Sequence, residues 1–122
     1  MKFIVTVLIT AACIASHAAV PDALAVRAII GEAGSESAQC QAAVGEVIRL
    51  RGSLRGIYGV NNPCVAKASQ KTINRATAAW AASAVTSYSH GASKFGCDAD
   101  AGYFKRIGAV IVVRIGRVNF YR

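Results

Sequence analysis

Residues 25–48 read AVRAIIGEAGSESAQCQAAVGEVI. An apolar run ends at Gly31, Glu32 follows, and after Ala33-Gly34 a second apolar-periodic run begins. Upstream, Leu24, Ala25, Ala28 and Ile29 repeat at helical spacing, with Val26 and Ile30 beside them. Pro21 and Asp22 open this first helix, because proline is tolerated in a first turn and an acid there suits the helix dipole. Gly34 is its stop signal. Downstream, Ser35 or Ser37 can cap a second helix. Its Cys40, Ala43, Val44, Val47 and Ile48 form one apolar stripe. Arg49 and Arg51 suit its C-terminus, and Gly52 ends it. The stretch therefore predicts two core helices with a carboxylate at the hinge between them.

Beyond Gly52, the segment GSLRGIYGVNNPC (52–64) is rich in glycine, asparagine and proline and reads as a loop. A third helix is expected over roughly 72–86, with Ile73, Thr77, Trp80 and Ala84 on one stripe and alanines allowing close packing. Residues 87–102, SYSHGASKFGCDADAG, read as a second long loop. The chain closes with VIVVRIGRVNFYR (110–122), β-rich around Gly116 and most simply a hairpin. The fold class is thus α+β, mainly α, with three main helices and a C-terminal β-hairpin. Long loops in so small a domain are where binding residues are sought.

The 122 residues leave room for one domain. Residues 1–18 read as a signal peptide, with Lys2, an apolar run from Phe3 and a small-x-small site at Ser16-His17-Ala18. A lipidated Cys13 would want an aliphatic residue where Thr10 stands. The domain is then 19–122, secreted or periplasmic, with no stable membrane insertion once the leader is gone. In an oxidising compartment two of Cys40, Cys64 and Cys97 are expected to pair, and the sequence does not choose among the three pairings. Their wide spacing, and His90 as the one histidine left, argue against a metal site. No cofactor is expected. With Lys2 removed, thirteen Lys/Arg face six Asp/Glu, a charge of +7 that draws the domain toward anionic partners. Nucleic acid has only that charge in its favour.

A glutamate near a helix C-terminus is most simply solvated or paired with an arginine. Yet the dipole disfavours a carboxylate there, and burial beside Ile29-Ile30 would raise its pKa. A half-buried, protonated glutamate facing a cleft is what general-acid cleavage of a glycosidic bond requires.

The segments AVRAIIGEAGSES and QAAVGEVIRLRGSLRGIYG, then Gly91-Ala92 with Phe95, then RIGRVNFYR, stand in this order along nearly the whole chain after the leader. Together they resemble the cell-wall hydrolases of the spore-cortex-lytic (SleB-like) type. Those domains carry an A-x-x-I-x-G-E-A-x-x-E core, a helix ending V-I-x-N-R, a G-A-x-x-F loop and a closing I-G-x-x-x-F-Y strand. The resemblance implies a compact lysozyme-like domain acting on peptidoglycan glycan strands, with Glu32 on the catalytic position. That residue would protonate the oxygen between N-acetylmuramic acid and N-acetylglucosamine. In a lytic transglycosylase it then serves as base while the muramoyl C6 hydroxyl attacks C1, giving a 1,6-anhydro product; ordinary hydrolysis usually employs two carboxylates. The chain departs from the pattern at Leu50, where the family has Asn, and at Gly96-Cys97, where relatives tend to carry Asn.

Glu36 matches the family's second glutamate and is either a supporting residue or a solvated first-turn acid. Gly91, Ala92 and Phe95 are candidate substrate contacts by the same resemblance. Asp98 and Asp100 are solvated turn residues or supply a second carboxylate. Tyr88, Tyr103 and Phe104 are sugar-stacking candidates or core. Trp80 reads as core, His90 as a loop residue, and Glu46 as a surface partner of Arg49. The expected partners are peptidoglycan strands and other anionic wall polymers. The competing reading is a non-catalytic exported module of the same fold that binds wall glycan through its basic face.

Overall fold

The computed structural model describes residues 19–122. The expected leader, with Cys13, lies outside them. Helix α1 spans Asp22–Ala33 and α2 spans Ala38–Arg51. Of the two serines, Ser37 is the cap, its hydroxyl accepting from Cys40 N at 3.1 Å. Gly52 ends α2 in the left-handed conformation, φ 66°, which glycine adopts without strain. After a 3₁₀ turn at Tyr58–Asn61 come the short α3 (Pro63–Ala66) and then α4 (Gln70–Ala82). Asn62 and Ser69 cap these two helices. Thus α4 starts and stops earlier than the alanine-rich pattern suggested. Its buried face is Ala76, Ala79 and Trp80, whereas Thr77 is exposed and donates back to the Ile73 carbonyl at 2.7 Å.

Residues 87–102 are not a continuous loop. They contain strand β1 (Lys94–Gly96), a 3₁₀ turn at Asp98–Asp100 and the start of α5 (Ala101–Arg106). The expected hairpin is present as β2 (Ile111–Ile115) and β3 (Val118–Tyr121), turning at Gly116 with φ 59°. Strand β3 lies between the other two in an antiparallel sheet ordered β1-β3-β2, with Phe95 opposite Phe120. All four β3 residues are buried, and the one polar member, Asn119, donates its Nδ2 to Asp98 Oδ1 at 2.9 Å.

The core is formed by α1, α2, α4 and the inner face of β3. Ile29, Val44, Val47, Ile48 and Phe120 are among its fully buried side chains, each contributing about 1.5–3 kcal/mol by its removal from water. Helices α2 and α4 meet closely at Gly45, where an added Cβ would lie 2.8 Å from Ser83 Cβ. The Arg49 guanidinium lies 3.7 Å over the Trp80 ring and donates to Ser83 Oγ and the Trp80 carbonyl. Trp80 Nε1 donates to Asp22 Oδ1 at 2.8 Å, tying α4 to the start of α1.

Arg49 being so engaged, Glu46 does not pair with it. Its carboxylate accepts instead from Thr86 Oγ1, the Tyr88 and Ser89 amides and Ser89 Oγ at 2.6–3.1 Å, anchoring the segment that leads to β1. The expected disulfide is not formed. Cys40 is buried in the α2 stripe, while Cys64 and Cys97 are exposed on separate segments, and all three are free thiols. Among the described residues no helix is long and apolar enough to cross a membrane.

Candidate active site

Glu32 occupies the last turn of α1, half-buried, and what fixes it comes from the segment that reads as a loop. The 3₁₀ turn at 58–61 lies directly on α1, backbone against backbone, at Gly31 and Gly59. A Cβ on Gly31 would collide with the Gly59 carbonyl, and a Cβ on Gly59 would come within 2.6 Å of Glu32 Cγ. With neither side chain present, the Gly59 amide donates to Glu32 Oε1 at 2.7 Å. Glu32 Oε2 has no hydrogen-bond partner among the described residues, and no Lys or Arg there forms an ion pair with this carboxylate. One oxygen is therefore held and the other is available for proton traffic.

Glu32 lines a cleft of about 850 Å³. One group of its walls comes from the 52–58 segment and the end of α2, with Arg51, Ile57 and Tyr58. The other comes from β1 and α5, with Lys94, Phe95, Gly96, Cys97, Asp100, Tyr103 and Phe104. Tyr58 and Tyr103 leave 79% and 55% of their surface exposed, so aromatic faces are open at this cleft. Phe95 is anchored against Phe120, with ring centroids 6.2 Å apart. Phe104 stacks on Tyr121 at 4.0 Å and meets Tyr103 edge-on at 5.4 Å. Gly96 is needed where β1 passes α5, since a Cβ there would lie 2.6 Å from the Phe104 ring.

The structure thus brings Glu32, Phe95, Cys97, Tyr103 and Phe104 to one cleft and leaves several other candidates elsewhere. Of the two aspartates, Asp100 lines the cleft, its Oδ2 accepting from the Cys97 amide at 3.2 Å and Cys97 Sγ at 3.3 Å. Asp98 turns away, accepting from Asn119 Nδ2 at 2.9 Å and Arg114 NH1 at 2.7 Å. Those hydrogen bonds, Asn119's first, hold its carboxyl below the ordinary 3.8.

Glu36 is a strut rather than part of the cleft. Its side chain is 11% exposed and accepts from Arg117 Nε at 2.9 Å, while its carbonyl accepts from Arg75. This joins the α1–α2 connection to the β2–β3 turn and to α4. Gly91 and Ala92 line a separate, shallower hollow of about 400 Å³ beside Glu46 and Ser89. Gly91 has φ 73°, and Ala92 is buried. Cys64, on α3, is not among the cleft residues. Among the described residues no group of three or more His, Cys, Asp or Glu is placed to hold a metal ion.

Several residues of the site escaped the sequence reading, Arg51, Ile57, Tyr58, Gly59 and Lys94 among them. Tyr58 and Gly59 stand within GIYG (56–59), where an aromatic in a glycine-bounded turn was the available signal. Comparison with protein-family models, curated proteins and solved structures finds no match for this chain.

Proposed function

We propose that this chain cleaves the glycan strands of peptidoglycan, with Glu32 as the single acid/base. The observation that carries the proposal is a half-buried carboxylate, held at one oxygen by the Gly59 amide, in a cleft edged by exposed Tyr58 and Tyr103. Pyranose rings present apolar C–H faces that stack on aromatic rings, and a glycosidic oxygen needs a positioned proton donor.

In this reading the protonated Oε2 gives its proton to the oxygen linking N-acetylmuramic acid to N-acetylglucosamine as the C1–O bond breaks. The carboxylate so formed is steadied by the Gly59 amide, which already points at Oε1. Glu32 then takes a proton from the group attacking C1. If that group is the muramoyl C6 hydroxyl, a C6–O–C1 bond forms and the product is a 1,6-anhydro sugar. If it is water, the product has a reducing end. The intramolecular route asks for one carboxylate only. The order of SleB-like motifs and the expected leader agree with a cell-envelope enzyme, secreted or periplasmic.

The test is mass spectrometry of soluble fragments after incubating purified peptidoglycan with the chain from residue 19. Anhydro-muramic ends identify a lytic transglycosylase and reducing muramic ends a hydrolase. Glu32→Gln is expected to fold and release neither, and equal release by that variant sinks the role of Glu32. Wall binding with no fragments over a range of pH would favour the non-catalytic module, whose support is the +7 charge.

A further inference from the structure

The cleft holds two cations, Arg51 and Lys94, that form no ion pair with a carboxylate among the described residues. Arg51 stands at the end of α2, where the chain turns back through Gly52 and the left-handed Gly56. Its NH2 donates to the Arg55 carbonyl, so the guanidinium is anchored at the cleft. Lys94, on β1, donates from Nζ to Ser93 Oγ at 3.2 Å. The ion pairs among the described residues, Arg114–Asp98 and Arg117–Glu36, both lie outside the cleft. Glu32 and Asp100 line the same cleft, yet neither carboxylate is paired with Arg51 or Lys94, so both cations keep donors free for a bound anion.

We propose that Arg51 and Lys94 form an anion subsite that selects glycans bearing carboxylates over neutral N-acetylhexosamine polymers. The inference rests on the glycan-cleaving reading and adds the substrate's charge to it. A guanidinium presents paired donors that match a carboxylate, and an ammonium supplies a compact point charge. In peptidoglycan two carboxylate sources share this chemistry. One is the lactyl group of an unsubstituted muramic acid; the other is the peptide stem, which consumes the lactyl carboxyl as an amide and brings carboxylates of its own.

The experiment is calorimetric binding to the Glu32→Gln chain, so that no cleavage occurs. The probes are a peptide-bearing tetrasaccharide of alternating N-acetylglucosamine and N-acetylmuramic acid, the same tetrasaccharide without peptide, and chitotetraose. Arg51→Gln and Lys94→Gln are each expected to weaken the carboxylate-bearing probe about five-fold and to leave chitotetraose unchanged. Loss confined to the peptide-bearing probe assigns the stem as the source, and loss confined to the bare one assigns the lactyl group. Lys71→Gln, an exposed lysine outside the cleft, removes the same charge and is expected to have no comparable effect. Equal weakening by Lys71→Gln, or equal loss for chitotetraose, overturns the subsite. Melting temperatures of the variants separate loss of binding from loss of fold, and Lys94→Gln carries the test if Arg51→Gln frays α2.

The two proposals fail differently. Fragments released by the wild-type chain with unaltered binding in both variants remove the subsite and leave the enzyme. Selective binding loss without fragments removes the enzyme and leaves the subsite.

Discussion

Gly59→Ala isolates the contact that sets Glu32. The added methyl would lie 2.6 Å from Glu32 Cγ and 2.8 Å from both Cδ and the Glu32 amide nitrogen. Carbon atoms ordinarily rest about 3.5–4.0 Å apart, so the 3₁₀ turn and α1 must separate by about 1 Å. Overfilling a packed contact costs about 1–3 kcal/mol. Gly59 is not in a left-handed conformation, so alanine regains about 0.4–1 kcal/mol by restricting the unfolded chain. The net loss of about 0–2.6 kcal/mol corresponds to a melting point lower by up to about 20 °C.

The same separation breaks the 2.7 Å bond from the Gly59 amide to Glu32 Oε1. Under the acid/base role proposed for Glu32, a displacement of that size is expected to cost about 10²-fold in turnover. Thermal melts followed by circular dichroism read the first effect, and the rate of fragment release from purified peptidoglycan reads the second. Gly102→Ala is the control. It lies within α5, an added Cβ meets nothing nearer than Arg106 NH1 at 3.8 Å, and helix propensity predicts up to about 1 kcal/mol of stabilisation. A Gly59→Ala chain that melts and cleaves like the parent would refute the argument. One that melts early but keeps its turnover would preserve the contact and free Glu32 from it.

Glu46→Ala strips the partner from Thr86 Oγ1, two amides and Ser89 Oγ, and is expected to cost about 2–4 kcal/mol, with Glu46→Gln losing less. Hydrogen exchange should show residues 86–92 opening in Glu46→Ala before the helices do; unchanged protection there would refute the anchor. Burial, and then the nearby Glu36 carboxylate, push the Cys40 thiol from 9.0 up to about 12. In the window between those values the unfolded chain has lost a proton that the folded chain keeps, so stability falls as pH rises from 9 toward 12. Cys40→Ala should flatten that slope in denaturant titrations, and iodoacetamide on the native chain from residue 19 should modify Cys64 and Cys97 before Cys40. A slope unaltered by the substitution would remove Cys40 as its source.

The parts of this fold that local chemistry determines were readable directly. Helices α1 and α2, the stop at Gly52 and the closing hairpin each rest on patterns within a few residues. Ser35 and Ser37 were equal candidates until the cap geometry chose one. The hinge carboxylate was found because it broke a local preference. What could not be read was pairing across the chain. Nothing near Gly59 says that it will lie on Gly31, 28 positions earlier, and nothing near Glu36 names Arg117 as its partner. Asp98 and Asp100 are alike in sequence, and only the 3₁₀ turn between them sends one to Asn119 and Arg114 and the other to the cleft. The glycines of 52–64 announced a turn, but a glycine kept for close approach looks the same as one kept for its φ angle.

The end of α1 gathers several features that a purely structural helix would avoid. It carries a carboxylate where the dipole is unfavourable, and no basic residue stands in its last turn to offset it. Its terminal carbonyls are served by Gln41, whose Nε2 donates to Ala33 at 3.0 Å and Gly34 at 3.4 Å. That side chain is fully buried, and its Oε1 has no partner among the described residues, a penalty that an apolar residue would not incur. Gly31 sits inside the helix, where alanine would favour helix formation by about 1 kcal/mol. Gln41 supports the helix end at its own cost, whereas Gly31 and Glu32 each weaken it, and these two let the chain after α2 rest on the backbone of α1 and present an amide to Glu32. Sequences tend to agree with their folds at every level except where a site demands otherwise. The concentration of these conflicts in one helical turn is therefore an argument for Glu32 that does not depend on any resemblance.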